Sequence, residues 1–149
     1  MDLEALDELQ ICTFGGGETA DRMLAMVLSG RKTAASWPAR DGQWTSVGAR
    51  MIACDRHGQP RAVLETTSLE RRRFCEVDEA FAWAEGEGDL SLAWWRLANR
   101  HLLARSGGFS EDMELWCERF RVVKLIEPVA ADSAPGEREN RLETVGAYA

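Results

Sequence analysis

The order of patterns along this chain predicts an α+β protein, a small, mostly antiparallel β-barrel with helices packed around it. Three observations carry that expectation. Short strand-like runs flank one well-patterned helix and two later helical stretches. The span from Ala49 to Leu69 reads as a β-hairpin turning at Asp55-Arg56-His57-Gly58. A long strand pattern, Met113–Ile126, ends just before Pro128.

Composition bounds the rest. A chain of 149 residues suits one domain with a real core, and 45 % hydrophobic with 29 % charged residues places it among globular chains. The formal net charge of −7 argues against a nucleic-acid partner until its distribution is read. Residues 1–10 hold four acids and no base, and residues 131–149 hold four acids against two bases, so residues 11–130 carry a net of only −1. A local basic groove is compatible with that balance. We therefore expect an acidic N-terminal segment (1–10), one domain (11–130) and a flexible tail (131–149) low in bulky residues. The four cysteines lie far apart with no Cys-x-x-Cys pair, which points to reduced, mostly buried thiols and not to a zinc site. The acidic start, without a long apolar run, gives neither a signal peptide nor a membrane span, so the expected compartment is the cytoplasm.

Taken in order, Leu3, Leu6 and Leu9 among acids suggest a short helix, and Ile11–Phe14 a short strand broken by Gly15-Gly16-Gly17. That triple glycine lacks the spacing of a phosphate-binding fingerprint and reads as a turn. Thr19 is the expected N-cap of a helix whose Ala20, Met23, Leu24, Val27 and Leu28 form a core-facing stripe. Gly30 suits the left-handed position past its end. Thr33–Trp37 should be a strand, with Lys32, Ala34 and Ser36 on one face and Thr33, Ala35 and Trp37 on the other. The polar loop Pro38–Gly48 carries Trp44, suited either to stacking a base or to tucking back onto the barrel. In the hairpin Glu65 sits at a semi-buried position, as a rim charge or a ligand contact. Asp78 should cap a short helix through Ala84, and Ser91 a longer one with a stripe of Trp94, Leu97, Ala98, His101 and Leu102. In the last strand Arg119 lies among apolar neighbours and needs a partner.

The stretch Gly30-Arg31-Lys32-Thr33-Ala34-Ala35-Ser36-Trp37 concentrates the chemistry. Two cations, hydroxyls and a flat aromatic at a helix-to-strand corner suit an anionic, planar ligand such as a nucleotide, although a helix C-cap followed by a plain strand has the same look. Glu85-Gly86-Glu87-Gly88-Asp89 reads either as a solvated turn or as oxygen ligands for a divalent cation.

Several of these segments together resemble the ASCH domain, the activating-signal-cointegrator homology family with a PUA-like barrel. They are Gly30-Arg31-Lys32-Thr33-Ala34, the strand Gly58–Thr66, Phe81-Ala82 with Glu85-Gly86-Glu87-Gly88-Asp89, Trp95-Arg96, and Cys117-Glu118-Arg119-Phe120. The resemblance runs from about Thr13 to Ile126. It implies a cleft lined by the lysine-threonine corner and a glutamate from the helical insertion, and roles in RNA binding. Some members resemble ribonucleases, and one branch hydrolyses N4-acetylcytidine with a Lys-x-x-Thr pair and a glutamate. Carried over, the lysine falls on Lys32 and the glutamate on Glu85, but the nucleophilic threonine falls on Ala35. A methyl group cannot attack a carbonyl. Many relatives also place a histidine where this chain has Asn99.

The resulting expectation is an RNA-binding or RNA-processing module for single-stranded RNA. Lys32 and Glu85 sit at its centre; Arg31, Thr33, Ser36, Trp37, Trp44, Glu65, Arg96 and Arg119 contact the nucleotide. Metal-assisted cleavage would place Mg²⁺ or Mn²⁺ on Glu85, Glu87 and Asp89. The alternatives are an amidohydrolase of an N4-acylated cytidine nucleoside, disfavoured by Ala35, and a nucleotide-binding barrel without chemistry.

Overall fold

A computed structural model describes residues 9–12, 14 and 17–128. The expected N-terminal helix around Leu3 and Leu6, most of the triple glycine and the tail from 131 onward lie outside those residues. Among the described residues the strands and α-helices follow in order: β1 (Gln10–Cys12), α1 (Gly17–Leu28), β2 (Ala34–Pro38), β3 (Arg50–Cys54), β4 (Pro60–Arg73), α2 (Glu79–Glu85), α3 (Leu92–Arg105) and β5 (Glu114–Leu125). The strands form one five-stranded sheet in the order β1-β3-β4-β5-β2. β1 pairs parallel with β3, while β3 with β4 and β2 with β5 pair antiparallel. The α+β expectation therefore holds, with a parallel edge strand added to the hairpin.

The chain divides into two compact units. One takes the described residues up to Ser29, Ala49–Glu65 and those from Arg121 onward; the other is Gly30–Gly48 with Thr66–Phe120. In the first, Ala20, Leu24 and Val27 are the buried residues of α1, as the stripe predicts, and Ile52, Cys54 and Val63 form a small core with Leu9, Val123 and Ile126. Asp55 shapes the hairpin turn by accepting from the backbone N–H groups of His57 and Gln59, which leaves His57 exposed and structural.

The second unit packs α2 and α3 onto Phe74, Val77, Leu115 and Cys117. Asp78 and Ser91 cap the two helices as expected, accepting from Phe81 N and Trp94 N. The buried stripe of α3 is a correction. Trp95 and Leu103 are its buried residues, whereas Leu97 and Leu102 are more than half exposed and His101 faces solvent. The helix carries apolar residues on two neighbouring faces, so periodicity alone cannot choose between them. Trp95 decides the matter, because its ring packs on Phe74 with centroids 5.2 Å apart. Asn99, at the place of the relatives' histidine, donates from its side chain to the Trp95 carbonyl within the helix.

All four cysteines are free; Cys12, Cys54 and Cys117 are buried and Cys75 is exposed. Burial pushes the Cys54 thiol to about 11 and the Cys117 thiol to about 12, with the Asp55 and Glu85 charges respectively adding to it. Neither is a reactive thiolate near neutral pH.

Gly86 and Gly88 set the turn that leaves α2. Both have positive φ, and a Cβ at 88 would lie 2.1 Å from the Trp94 ring, while one at 86 would lie 2.5 Å from the Arg31 carbonyl oxygen. A Gly88→Ala variant should therefore lose about 1 to 3 kcal/mol of stability from overpacking and backbone strain. Urea denaturation checks this, and an unchanged midpoint would contradict it.

Candidate functional site

The Gly30–Trp37 corner and the Glu-Gly-Glu-Gly-Asp turn prove to be two halves of one structure. Residues 31–33 run alongside residues 84–88 and bond them in sequence. Arg31 donates from Nε to the Gly86 carbonyl (2.6 Å) and from Nη2 to the Gly88 carbonyl (2.8 Å). Lys32 donates from Nζ to the Glu85 carbonyl (3.2 Å) and to Glu87 Oε2 (3.3 Å). The Thr33 backbone N–H donates to the Ala84 carbonyl at 2.7 Å, and its hydroxyl reaches the same oxygen at 3.4 Å. The last carbonyls of α2, which lack partners within the helix, are thus satisfied by the corner.

At the centre of this latch Glu85 is buried. Its Oε2 accepts from the Trp95 indole Nε1 and from the Ser36 hydroxyl (3.1 Å), while Oε1 lies 3.8 Å from Lys32 Nζ. The side chains of Lys32 and Glu85 are only 4 % and 6 % exposed. Burial raises the Glu85 carboxyl above its ordinary range; the Lys32 charge, the Trp95 bond and the Ser36 bond oppose that rise, and the Glu87 charge adds to it. Desolvating two ions costs several kcal/mol each, whereas a fully buried large apolar side chain contributes about 1.5 to 3 kcal/mol. A lysine–glutamate pair here is therefore a poor device for stability alone.

The pairing of β2 with β5 separates the corner into two faces. Ala35 pairs with Glu118 and Ser36 with Cys117, and directly paired residues share a face. Ser36 thus belongs with Lys32 and Glu85, while Ala35 and Trp37 belong with Glu118. On that second face Glu118 is buried and accepts from the Thr66 hydroxyl at 2.6 Å, which lies 2.8 Å from the Thr45 hydroxyl. With its own proton on Glu118, Thr66 accepts the proton of Thr45. Next to Thr45, Trp44 lies flat on Trp37, with centroids 4.8 Å apart and planes within 7°. Trp44 is thus tucked onto β2 with one ring face turned away from Trp37.

The position of the branch's threonine, Ala35, faces Glu118 and not Glu85. Sequence reasoning quoted Glu118 only inside a matching segment and gave it no role. Its signal was there: an acid in strand alternation between Trp116 and Phe120, on a face otherwise apolar.

Of the remaining expected residues, Arg119 pairs directly with Ala34 and so shares the face of Ser36. Arg119 is half-buried with its guanidinium 5.6 Å from the Phe81 ring centroid. Glu65 is bonded by Arg50 and Arg121 at 3.0 and 3.1 Å, and those bonds hold its carboxyl below the usual range. That makes it a paired rim charge in the other unit. Arg96 is half-buried on α3. Of the three arginines that end β4, Arg71 pairs with Glu114 and Arg72 with Glu70 and Asp78. The proposed metal ligands do not fit Mg²⁺ or Mn²⁺: Lys32 occupies Glu85 and Glu87, and Asp89 Oδ1 accepts from both the backbone and hydroxyl of Ser91. Among the described residues no group of three or more acids, histidines or cysteines is placed to hold a metal ion. None of the described helices is long and apolar enough to cross a membrane.

This α+β architecture is PUA-like, and its relatives agree. The family model for the ASCH domain matches residues 10–124. The crystal structure of an ASCH domain from Lactobacillus crispatus JV V101 is similar at 31 % identity and a TM-score of 0.70, covering 83 % of this chain and 86 % of that one. A protein from Enterococcus faecalis V583 is similar at 29 % identity and a TM-score of 0.69, covering 82 % and 84 % of the two chains. No curated protein matches. The chain belongs to the ASCH domain family.

Two measurements follow from the buried pair. Lys32→Met should cost about 3 to 5 kcal/mol by stranding Glu85, and adding Glu85→Leu should recover most of it. Additive losses in the double-mutant cycle would contradict the coupling. The second concerns pH. A raised carboxyl pKa means that the folded chain holds this proton more tightly than the unfolded one, whose ordinary value is 4.5. The stability so contributed is present at low pH and lost as pH rises from there through the folded value. Glutamine mimics the protonated form, so Glu85→Gln should gain on the wild type in urea midpoint as pH rises; a variant that falls behind would reverse the sign.

Proposed function

We propose that this ASCH domain binds single-stranded RNA, with one nucleotide at the Ser36–Lys32–Glu85 centre and a neighbouring base stacked on the outer face of Trp44. The observation that carries the reading is the buried Lys32–Glu85 pair with the Ser36 hydroxyl and Trp95 indole turned onto the same carboxylate. Such a polar centre supplies donors and acceptors for a base edge at a cost that packing alone does not explain. Ser36, half-buried, and Glu87, 26 % exposed, are its accessible polar groups. β2 ends the strand order of the sheet, so one RNA strand crossing it meets both the Ser36 face and the Trp37–Trp44 face.

This reading changes the expected grip on phosphate. Arg31 and Lys32 hold the 84–88 turn, which leaves Arg119, on the face of Ser36, as the expected cation for a phosphate. Binding should weaken with salt only shallowly, with a log–log slope near −0.7 for each phosphate held. Trp44→Ala should weaken binding of a labelled oligoribonucleotide by about 1 to 3 kcal/mol in anisotropy titrations. Unchanged affinity in that variant, or no binding by the wild type, would overturn the proposal.

A second reading, hydrolysis of an N4-acylated cytidine, is favoured by one contact. Ser36 Oγ donates to Glu85 Oε2 at 3.1 Å, the geometry of a hydroxyl beside a general base. In this scheme Ser36 attacks the acyl carbon, Glu85 takes its proton and passes it to the departing cytosine amine, and water then releases the acid. Chromatography of N4-acetylcytidine incubations should show cytidine from the wild type and none from Ser36→Ala. Equal turnover by both would exclude Ser36 as the nucleophile.

A further inference from the structure

A second feature, separate from the Glu85 centre and confined to the other unit, has the makings of a binding site. A cavity of about 280 Å³ opens beside α1, lined by Asp21, Leu24, Ala25, Leu28, Asp55 and Arg61. The first four follow helical spacing, so a single face of α1 forms one wall. The opposite charges come from the hairpin turn and from β4. Arg61 Nε is shut off from solvent and has no hydrogen-bond partner among the described residues. Its guanidinium enters no ion pair among the described residues, so a cation without a counter-charge lines the cavity.

The two carboxylates differ in how far they are occupied. Asp21 accepts from the Arg56 backbone N–H through Oδ1 and pairs with Arg56 Nε through Oδ2. Asp55 uses Oδ1 for the backbone N–H groups of His57 and Gln59, at 2.9 and 3.0 Å. Its Oδ2 makes no hydrogen bond among the described residues. The cavity thus combines an unused cation, an unused carboxylate oxygen and an aliphatic wall. Asp55 and Arg61 line the same cavity with opposite charges, so a ligand of one charge leaves one of them without a partner. A ligand carrying both charges close together satisfies both groups.

We propose that this cavity binds a small aliphatic zwitterion of the free amino-acid class. Its carboxylate meets Arg61, its ammonium meets Asp55 Oδ2, and its side chain lies along Leu24, Ala25 and Leu28. Bidentate capture of a carboxylate by a guanidinium supplies orientation, and the apolar wall selects a branched or straight aliphatic chain. The site is independent of RNA binding, since none of its residues belongs to the Glu85 centre.

Isothermal titration of the full chain with leucine, 3-methylbutylamine and 4-methylpentanoate tests it, because the last two lack one charge each. Leucine should bind saturably, both single-charge analogues at least tenfold more weakly, and Arg61→Gln should abolish leucine binding while retaining the wild-type circular dichroism. Amide shifts on adding leucine should centre on Leu24, Ala25 and Leu28. Absence of saturable leucine binding, equal affinity for the three probes, or undiminished binding by Arg61→Gln would each overturn the proposal.

Discussion

The contact between Lys32 and Glu85 governs the second unit of this protein. Neither ion is tolerable alone in its surroundings, so each fixes the position of the other's element. Lys32 stands at the end of a corner leaving a helix; Glu85 is the last residue of α2. Joining them ties strand β2 to the helical insertion, and the Arg31 and Thr33 bonds extend that joint on both sides. The glycines at 86 and 88 follow from the same constraint, since the turn must pass within van der Waals contact of the Arg31 backbone and the Trp94 ring. Two motifs that are more than fifty residues apart in sequence are one structural unit.

That joint also explains why the corner's cations do not look like a phosphate grip. Arg31 and Lys32 face carbonyl oxygens and carboxylates, which are the turn's own acceptors. Beside them stand the Ser36 hydroxyl, the edge of Glu87 and half-buried Arg119, with the stacked tryptophans on the opposite face of β2. Recognition by hydrogen bonding and stacking fits such a surface better than recognition by charge, in keeping with a domain body close to neutral. Glu118, Thr66 and Thr45 add a second buried polar line beneath the tryptophans, whose direction is set by the proton that Thr66 gives to Glu118.

Much of this was legible in the sequence. The caps at Asp78 and Ser91, the hairpin turn at Asp55 and the α1 stripe follow from local chemistry, and the structure has them where local chemistry puts them. The importance of Lys32 and Glu85 was legible too, through the resemblance. What escaped depended on tertiary choice. On α3, two apolar faces compete, and only the Phe74 ring tells which one turns inward. The partner of position 35 depends on strand register with β5, more than eighty residues away, and no local pattern encodes it. The fate of Arg31 depends on a turn whose path two glycines allow but do not announce.

A Glu85 centre that receives a nucleotide is more than a brace between β2 and α2. The Trp95 indole proton reports on it directly, because it is bonded to the carboxylate oxygen that Ser36 also contacts. We expect that proton's NMR resonance to shift saturably when a short single-stranded RNA is titrated into the protein, with the same midpoint as RNA binding. A resonance that stays fixed while the RNA binds would place the ligand elsewhere and leave Lys32 and Glu85 as structure alone.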